Sequence, residues 1–381
     1  MKIVRYEIIK SEERLENWMF LCIFLDNGMK GFGEISSAPK NADAVAAIAE
    51  RTLERLLGEN PLEDICPDLN PDSIVFTTVE SGIDQALYDL RSQLADMPLY
   101  EYLGGKEENI RVYANINRAL RKNRDTAVMC KHFADAASAG FIKTKISPFD
   151  NLLPSSDENE TEKEIKIAIT RIKSAVEIFG NRNVSVDCHQ RFSREAADLF
   201  FSRLKEEAIE LEYIEDVFFY EKEFRPIQET LIQKYNLRLA GGELCISKDE
   251  IKELVDCGCF SIYNPDIKFL GRTEDYISAL RYVKDNGYEC APHNPTSPIS
   301  TAFSAAIVSA FCPGTILEFA FGCQGFRNEL IGKEEAIDGR FYRLSGNPGL
   351  GISISQDFLR KYCYRYEKGT WTSYESNTQW N

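Results

Sequence analysis

The sequence predicts an α/β barrel preceded by a smaller α+β region, and three observations carry that expectation. From Val112 onward short β-rich runs alternate with helical stretches, the texture of parallel βαβ units. Seven of those runs end in ionisable residues: Lys145, Asp187, Glu215, Glu243, Asp266, His293 and Glu318. Successive members lie 23 to 42 residues apart, close to one strand-loop-helix-loop unit each, and residues 112–115 supply a first strand to complete eight. In such a barrel the C-terminal strand ends converge on one face, so residues distant in sequence meet in one pocket.

Composition agrees with a globular chain. With 44% hydrophobic and 28% charged residues it is neither disordered nor collagen-like, and no apolar run approaches the ~20 residues that span a bilayer. A formal net charge of −15 argues against a nucleic-acid partner, which would need Lys and Arg to neutralise its phosphates. An anionic small substrate then requires a local reversal of charge. The N-terminal residues lack the apolar stretch and small-residue cleavage site of a secretory signal, so a cytoplasmic location is expected. The eleven cysteines show no repeated CxxC pair, and Cys257 and Cys259 stand too close for a zinc knuckle. Free thiols are expected, with Cys188 and Cys245 buried as small apolar side chains.

Taken in order, residues 3–9 and 19–25 read as strands, and Asp26-Asn27-Gly28 turns the chain toward Gly31-Phe32-Gly33-Glu34, a hairpin pattern. Residues 41–57 and 79–94 carry apolar side chains at helical spacing, ended by Met97-Pro98 and Gly104-Gly105. The barrel runs follow at 141–145, 184–187, 212–215, 237–243, 260–266, 288–293 and 314–318. The widest separation, between Lys145 and Asp187, contains the polar stretch 148–161, read as an extended loop over the pocket or a disordered excursion. His132 falls in a helical run and reads as structural.

The chemistry follows from the run ends. Asp187, Glu215 and Glu243 close three successive strands, and carboxylates brought that near cannot all stay ionised without a cation. An all-oxygen ligand set favours a hard ion, so one Mg²⁺ per subunit is expected, with Mn²⁺ also compatible. Lys143 and Lys145, at i and i+2, project to one side of their strand. Lys143 is expected to lower the pKa of Lys145 and to face the substrate carboxylate. Across the trio, Asp266 can fix the tautomer of His293. Two bases then flank one cation, an arrangement suited to removing the proton α to a carboxylate. Glu318 could donate a proton or hydrogen bond to the enediolate if burial raises its pKa. Arg191 and Asn294 are candidate substrate contacts, and residues 11–18 and 148–161 are candidate lids.

Lys143-Thr144-Lys145, Asp187, Glu215, Glu243, Asp266, His293 and Glu318, in this order, resemble the mandelate racemase subgroup of the enolase superfamily. Gly31-Phe32-Gly33-Glu34, residues 85–90 and Asn347-Pro348-Gly349-Leu350-Gly351 extend that resemblance over nearly the whole chain. It implies a modified TIM barrel, (β/α)7β, under an α+β N-terminal capping domain. The corresponding division is a cap over 1–111, a barrel over 112–340 and a C-terminal return to the cap over 341–381. It also implies Lys145 and His293 as acid/base groups, Asp266 as partner of His293, the three carboxylates as ligands of an essential Mg²⁺, and a homo-oligomer. A related subgroup uses a sixth-strand lysine as base, which draws attention to Lys268, although the spacing to Gly271 aligns Asp266 with that position. Asp187-Cys188-His189 resembles the Asp-x-His of acid-sugar dehydratases such as the galactonate dehydratases, which implies His189 as the acid that assists departure of the 3-hydroxyl. The expected activity is a sugar-acid dehydratase (aldonate or aldarate), a hydro-lyase giving a 2-keto-3-deoxy acid. The alternative is a racemase or epimerase of an α-substituted carboxylate.

Overall fold

A computed structural model describes residues 1–12, 17–69, 72–121, 123–219 and 225–374. The chain opens with β1 (Ile3–Ser11), β2 (Met19–Leu25) and β3 (Lys30–Glu34), an antiparallel meander. The β2–β3 turn forms because Asn27 Oδ1 accepts the Met29 amide and Gly28 adopts φ 87°. Next come α1 (Ala42–Leu56), α2 (Ile74–Leu94) and the single turn α3 (Leu99–Tyr102). Helix α2 begins five residues before its expected start, because the β-branched residues Ile74, Val75, Thr77 and Thr78 mask the helical signal. The Gly-Phe-Gly of β3 lies directly on α2. A Cβ on Gly33 would stand 1.9 Å from the Gly82 carbonyl oxygen, and one on Gly31 2.3 Å from that of Ala86.

The barrel follows as β4 (Asn109–Asn115), α4 (Thr126–Ser138), β5 (Thr144–Ile146), α5 (Glu158–Phe179), β6 (Val184–Asp187), α6 (Arg194–Glu206), β7 (Ile214–Glu215), α7 (Arg225–Tyr235), β8 (Leu239–Gly241), α8 (Lys248–Asp256), β9 (Ile262–Tyr263), α9 (Thr273–Asp285), β10 (Glu289–Cys290), α10 (Pro298–Phe311) and β11 (Leu317–Ala320). The eight strands are parallel, in the order β10-β9-β8-β7-β6-β5-β4-β11. The first strand pairs with the last, Val112 opposite Leu317 and Asn115 opposite Ala320, which sets β11 beside β4. Beyond β11 the chain forms α11 (Gln324–Ile331), β12 (Phe341–Arg343), which pairs antiparallel to β4, and α12 (Gln356–Tyr362). Finally β13 (Cys363–Glu367) and β14 (Thr370–Ser373) join the first sheet in the order β14-β13-β1-β2-β3. This is a capped TIM barrel, with a large core between strands and outer helices and a second core under the cap sheet. No helix among the described residues is long and apolar enough to cross a membrane.

Cap and barrel are tied by buried polar contacts. Asp89 of α2 accepts the Phe32 amide at 3.0 Å and the Leu350 amide at 2.9 Å, so one carboxylate joins β3 to the Asn347–Gly351 segment. Ser81 donates to the Ile267 carbonyl, and Asp84 accepts the Thr273 amide, seating α2 on the segment after β9.

The stretch 148–161 is shorter as a loop than expected and is ordered. Asp157 caps α5 by accepting the Glu160 amide, so the helix starts at Glu158 and its 22 residues account for much of the wide separation. Asp150 is gripped by Arg124 and Arg171, and Glu164 accepts the Asp150 and Asn151 amides. Of the other candidate lid, residues 13–16 lie outside the described residues.

Candidate active site

The helices that follow the strands start in a way that fixes the strand ends. Ser193, Ser247 and Ser297 cap α6, α8 and α10 by accepting amides of Ala196, Glu250 and Ile299. Glu250 reaches back to the Ile246 amide. The ends of β6, β7 and β8 then bring Asp187, Glu215 and Glu243 together, all buried, with one oxygen of each within 4.8 Å of the others.

These carboxylates are electrostatically frustrated. Burial, together with Asp216, Asp187 and Glu215, drives the Glu243 carboxyl well above its ordinary range. Burial also raises Glu215, though Lys145 opposes it. Asp187 goes the other way, to about 2: burial would raise it, but the His189 charge and hydrogen bonds outweigh burial. Glu243 Oε2 is buried and makes no hydrogen bond of good geometry, its near neighbour being His293 Nε2 at 3.1 Å. An oxygen-only cluster with a buried acceptor that lacks a hydrogen bond and with mutually repelling charges fits a divalent cation, which Asp187, Glu215 and Glu243 would hold.

Lys145, on β5, is 1% exposed and places Nζ 2.9 and 2.8 Å from the two Glu215 oxygens and 3.4 Å from Glu318. Burial favours loss of its proton, but the Glu215 and Glu318 carboxylates prevail and hold Lys145 protonated. This reverses the expected downward shift. The expected cause is missing too, because Lys143 lies lower on the strand and pairs with Glu212 at 2.7 Å, with 28% of its side chain exposed. Arg238 bonds that same Glu212 and also Glu289, so Lys143 belongs to an ionic network away from the carboxylate trio.

On the far side, Asp266 Oδ2 lies 2.8 Å from His293 Nδ1, while His293 Nε2 lies 3.1 Å from Glu243. Burial would raise Asp266, yet Lys268 and His293 bring it to about 2. An ionised Asp266 accepts from Nδ1–H and leaves Nε2 as the basic nitrogen. Lys268 Nζ contacts both Asp266 oxygens, at 2.9 and 2.6 Å. The His293 loop is clamped twice: Glu34 of β3 accepts Thr296 Oγ1, Ser297 N and Ser297 Oγ, and buried Arg327, paired with Glu335, donates to the Thr296 carbonyl.

Glu318 is wholly buried and bonded by Asn115 Nδ2 and, at 3.1 Å, by the Asn294 amide. Burial alone would raise it, but Lys145, His293 and these donors lower it. Glu318 is therefore a carboxylate, and the condition for its acting as a neutral donor is not met. Asn294 spends Nδ2 on the Glu318 carbonyl and Thr301, and so supports Glu318 from a buried position. Arg191 donates to the Asp150 carbonyl and anchors the loop after β5.

His189 meets Asp187 by a turn rather than by strand alternation. Strand β6 ends at Asp187, and His189 and Gln190 adopt φ 48° and 58°. The His189 amide donates to Asp187 Oδ1, Nε2 lies 2.9 Å from Oδ2, and Nδ1 lies 3.1 Å from Ser147 Oγ. Burial lowers the His189 pKa, but Asp187 more than compensates and the net shift is upward. Ser147, Asp216 and Asn115 are the site neighbours that sequence reasoning missed. Ser147 stands two residues beyond Lys145, so alternation along β5 could have found it, and Asn115 is the polar end of the run 112–115, so the strand-end pattern could have found it; Asp216 carries no such signal.

Comparisons with known proteins agree with this architecture. Residues 128–358 match the family model described as enolase C-terminal domain-like, and residues 13–104 match the mandelate racemase / muconate lactonizing enzyme N-terminal domain. A D-xylonate dehydratase of Haloferax volcanii is 25% identical, with 91% of this chain and 85% of the relative covered. A D-galactonate dehydratase of Verminephrobacter eiseniae is also 25% identical, with 93% of each covered. Among solved structures, a member of the enolase superfamily from Salmonella Typhimurium superposes with TM-score 0.82 at 20% identity, covering 96% of this chain and 100% of that one. A mandelate racemase/muconate lactonizing enzyme-like protein from Rubrobacter xylanophilus gives 0.80 at 21% identity, covering 94% and 96%.

Proposed function

The chain belongs to the mandelate racemase and muconate lactonizing enzyme family of the enolase superfamily, and from that membership we propose that it is a Mg²⁺-dependent dehydratase of a sugar acid. The observation that carries this reading is the Asp266–His293 pair standing across a buried three-carboxylate cluster from a buried ammonium, Lys145. The relatives named as D-galactonate and D-xylonate dehydratases support the sugar-acid class. When bound, Mg²⁺ supplies Lewis-acid stabilisation of negative charge on the substrate carboxylate. His293 Nε2 takes the proton α to that carboxylate, and Asp266 stabilises the imidazolium through Nδ1–H. Lys145, kept protonated by Glu215 and Glu318, offers a fixed positive charge to the enediolate. His189, charged beside Asp187 and braced by Ser147, gives its proton to the departing 3-hydroxyl. The carbon skeleton leaves as a 2-keto-3-deoxy acid and the hydroxyl as water.

The presence of acid/base groups on both sides of the cluster also suits the racemase or epimerase alternative. Proton NMR of a sugar-acid panel in D₂O with Mg²⁺ separates the two. Loss of the C2 proton with new keto-deoxy signals is expected. Deuterium at C2 with retention of the 3-hydroxyl would instead establish the isomerase, and no dehydration is expected in His293→Asn.

A further inference from the structure

Lys268 stands two residues beyond Asp266, in the segment after β9, and its ammonium turns back onto that carboxylate. Nζ lies 2.9 Å from Asp266 Oδ1 and 2.6 Å from Oδ2, and the Lys268 amide donates to Oδ1 at 2.8 Å. The side chain is 6% exposed, with Nζ 5.3 Å from the centre of the Phe269 ring. Its segment is held from both sides: Ser81 of α2 donates to the Ile267 carbonyl, and the Phe269 and Leu270 amides donate to the Asp266 carbonyl. A lysine closed on its own neighbour and packed in this way is not free to take an α-proton. What it decides is the state of Asp266.

Asp266 is wholly buried, and among the described residues its carboxylate is bonded only by Lys268 and His293. A carboxyl buried so deeply keeps its proton unless a cation faces it. His293 supplies no full charge before it has taken a proton, so Lys268 is the standing cation. Its charge is the largest of the effects that oppose burial and bring Asp266 to about 2. The state of Asp266 in turn sets which nitrogen of His293 is bare. An ionised carboxylate only accepts, so Nδ1 carries the hydrogen and Nε2, on the side of the carboxylate trio, keeps its lone pair. A neutral carboxyl would donate to Nδ1 and send the ring hydrogen to Nε2, where it blocks proton removal.

We propose that Lys268 is a positioning residue that acts on His293 through Asp266: its ammonium, closed on both carboxylate oxygens, keeps Asp266 an acceptor and so keeps His293 in the tautomer with a bare Nε2. This rests on the reading of His293 as the base and adds what prepares that base.

The chain has three histidines, so ¹⁵N-histidine labelling of the Mg²⁺-supplemented protein gives a readable ring spectrum, in which His293→Asn assigns the His293 signals. At about pH 8, above the ordinary histidine range, wild type should show hydrogen on His293 Nδ1 and none on Nε2. Lys268→Met should move that hydrogen to Nε2 in a substantial part of the population, whereas Lys268→Arg, which keeps the charge, should hold the wild-type pattern. Lys268→Gln, which keeps a hydrogen bond without the charge, should behave as Lys268→Met and decides in its place if that variant does not fold. On the acids of the sugar-acid panel that turn over, Lys268→Met should lose about a hundredfold in kcat with KM within about twofold, and Lys268→Arg should recover most of the loss. Hydrogen on Nε2 in wild type, a wild-type pattern in the neutral variants, or a rise in KM with kcat kept would overturn the proposal. If no acid turns over, the dehydratase reading fails, and the ring spectrum still decides this one.

Discussion

Lys145 and Lys143 are the same residue type two positions apart and do different work. Lys145 is sealed between Glu215 and Glu318, whereas Lys143 is partly exposed beside Glu212. Lys143→Ala should cost at most about 1 kcal/mol and leave kcat within about twofold, while Lys145→Ala should lower kcat about a hundredfold or more. Comparable losses in steady-state assays would contradict this placement. Glu318→Gln keeps the shape and a donor but removes one of the two charges, with that of Glu215, that hold Lys145 protonated. It should lower kcat about a hundredfold, whereas a side chain acting as a neutral donor would tolerate Gln. The trio Asp187, Glu215 and Glu243 was legible because strand ends recur at the βα period. Depth along the barrel axis was not legible: alternation puts Lys143 and Lys145 on one side of β5 but says nothing of the ~6.6 Å between them. The ionisation of Glu318 was equally hidden, since Asn115, Lys145 and Asn294 reach it from other strands.

Helix α2 and strand β3 show what a motif means once folded. Gly31-Phe32-Gly33 reads in sequence only as a strand with weak propensity, and its reason is the backbone contact with Gly82 and Ala86 of α2. Gly33→Ala should destabilise the protein by about 3 kcal/mol or more, because the obstructing atom is backbone; a wild-type melting temperature would refute that contact. Asp89 joins the same helix to β3 and to the segment at Leu350, and burial raises its pKa to about 6 despite hydrogen bonds from the Leu350 and Phe32 amides and Gln93. A carboxyl whose folded pKa lies above its unfolded value near 3.8 contributes stability at low pH that is lost as pH rises through about 6. The stability difference between wild type and Asp89→Asn should therefore shrink by about 2 kcal/mol from pH 4 to pH 7 in urea titrations. A difference independent of pH would show that Asp89 stays ionised throughout. Strand order and helix positions were largely legible from periodicity. The early start of α2 and of α5 was not, because β-branched residues conceal the first and polar residues the second.

At the scale of the whole molecule, the barrel gathers side chains from β5 to β11 at one mouth and the cap closes over it. Cap and barrel hold the His293 loop jointly through Glu34 and Arg327, so that loop responds to both. The buried carboxylate trio is unfavourable without a cation, so Mg²⁺ at about a hundred times its Kd should stabilise the fold by about 3 kcal/mol and raise Tm by several degrees. In Glu243→Gln that response should shrink, and an equal response would place the cation elsewhere. The most direct measurement is the fate of the C2 proton and the 3-hydroxyl when wild type and His293→Asn meet sugar acids in D₂O with Mg²⁺. Wild type should lose both to give a keto-deoxy acid, and His293→Asn should give no dehydration. C2 deuteration without loss of the 3-hydroxyl, or dehydration undiminished in His293→Asn, would contradict the assignment.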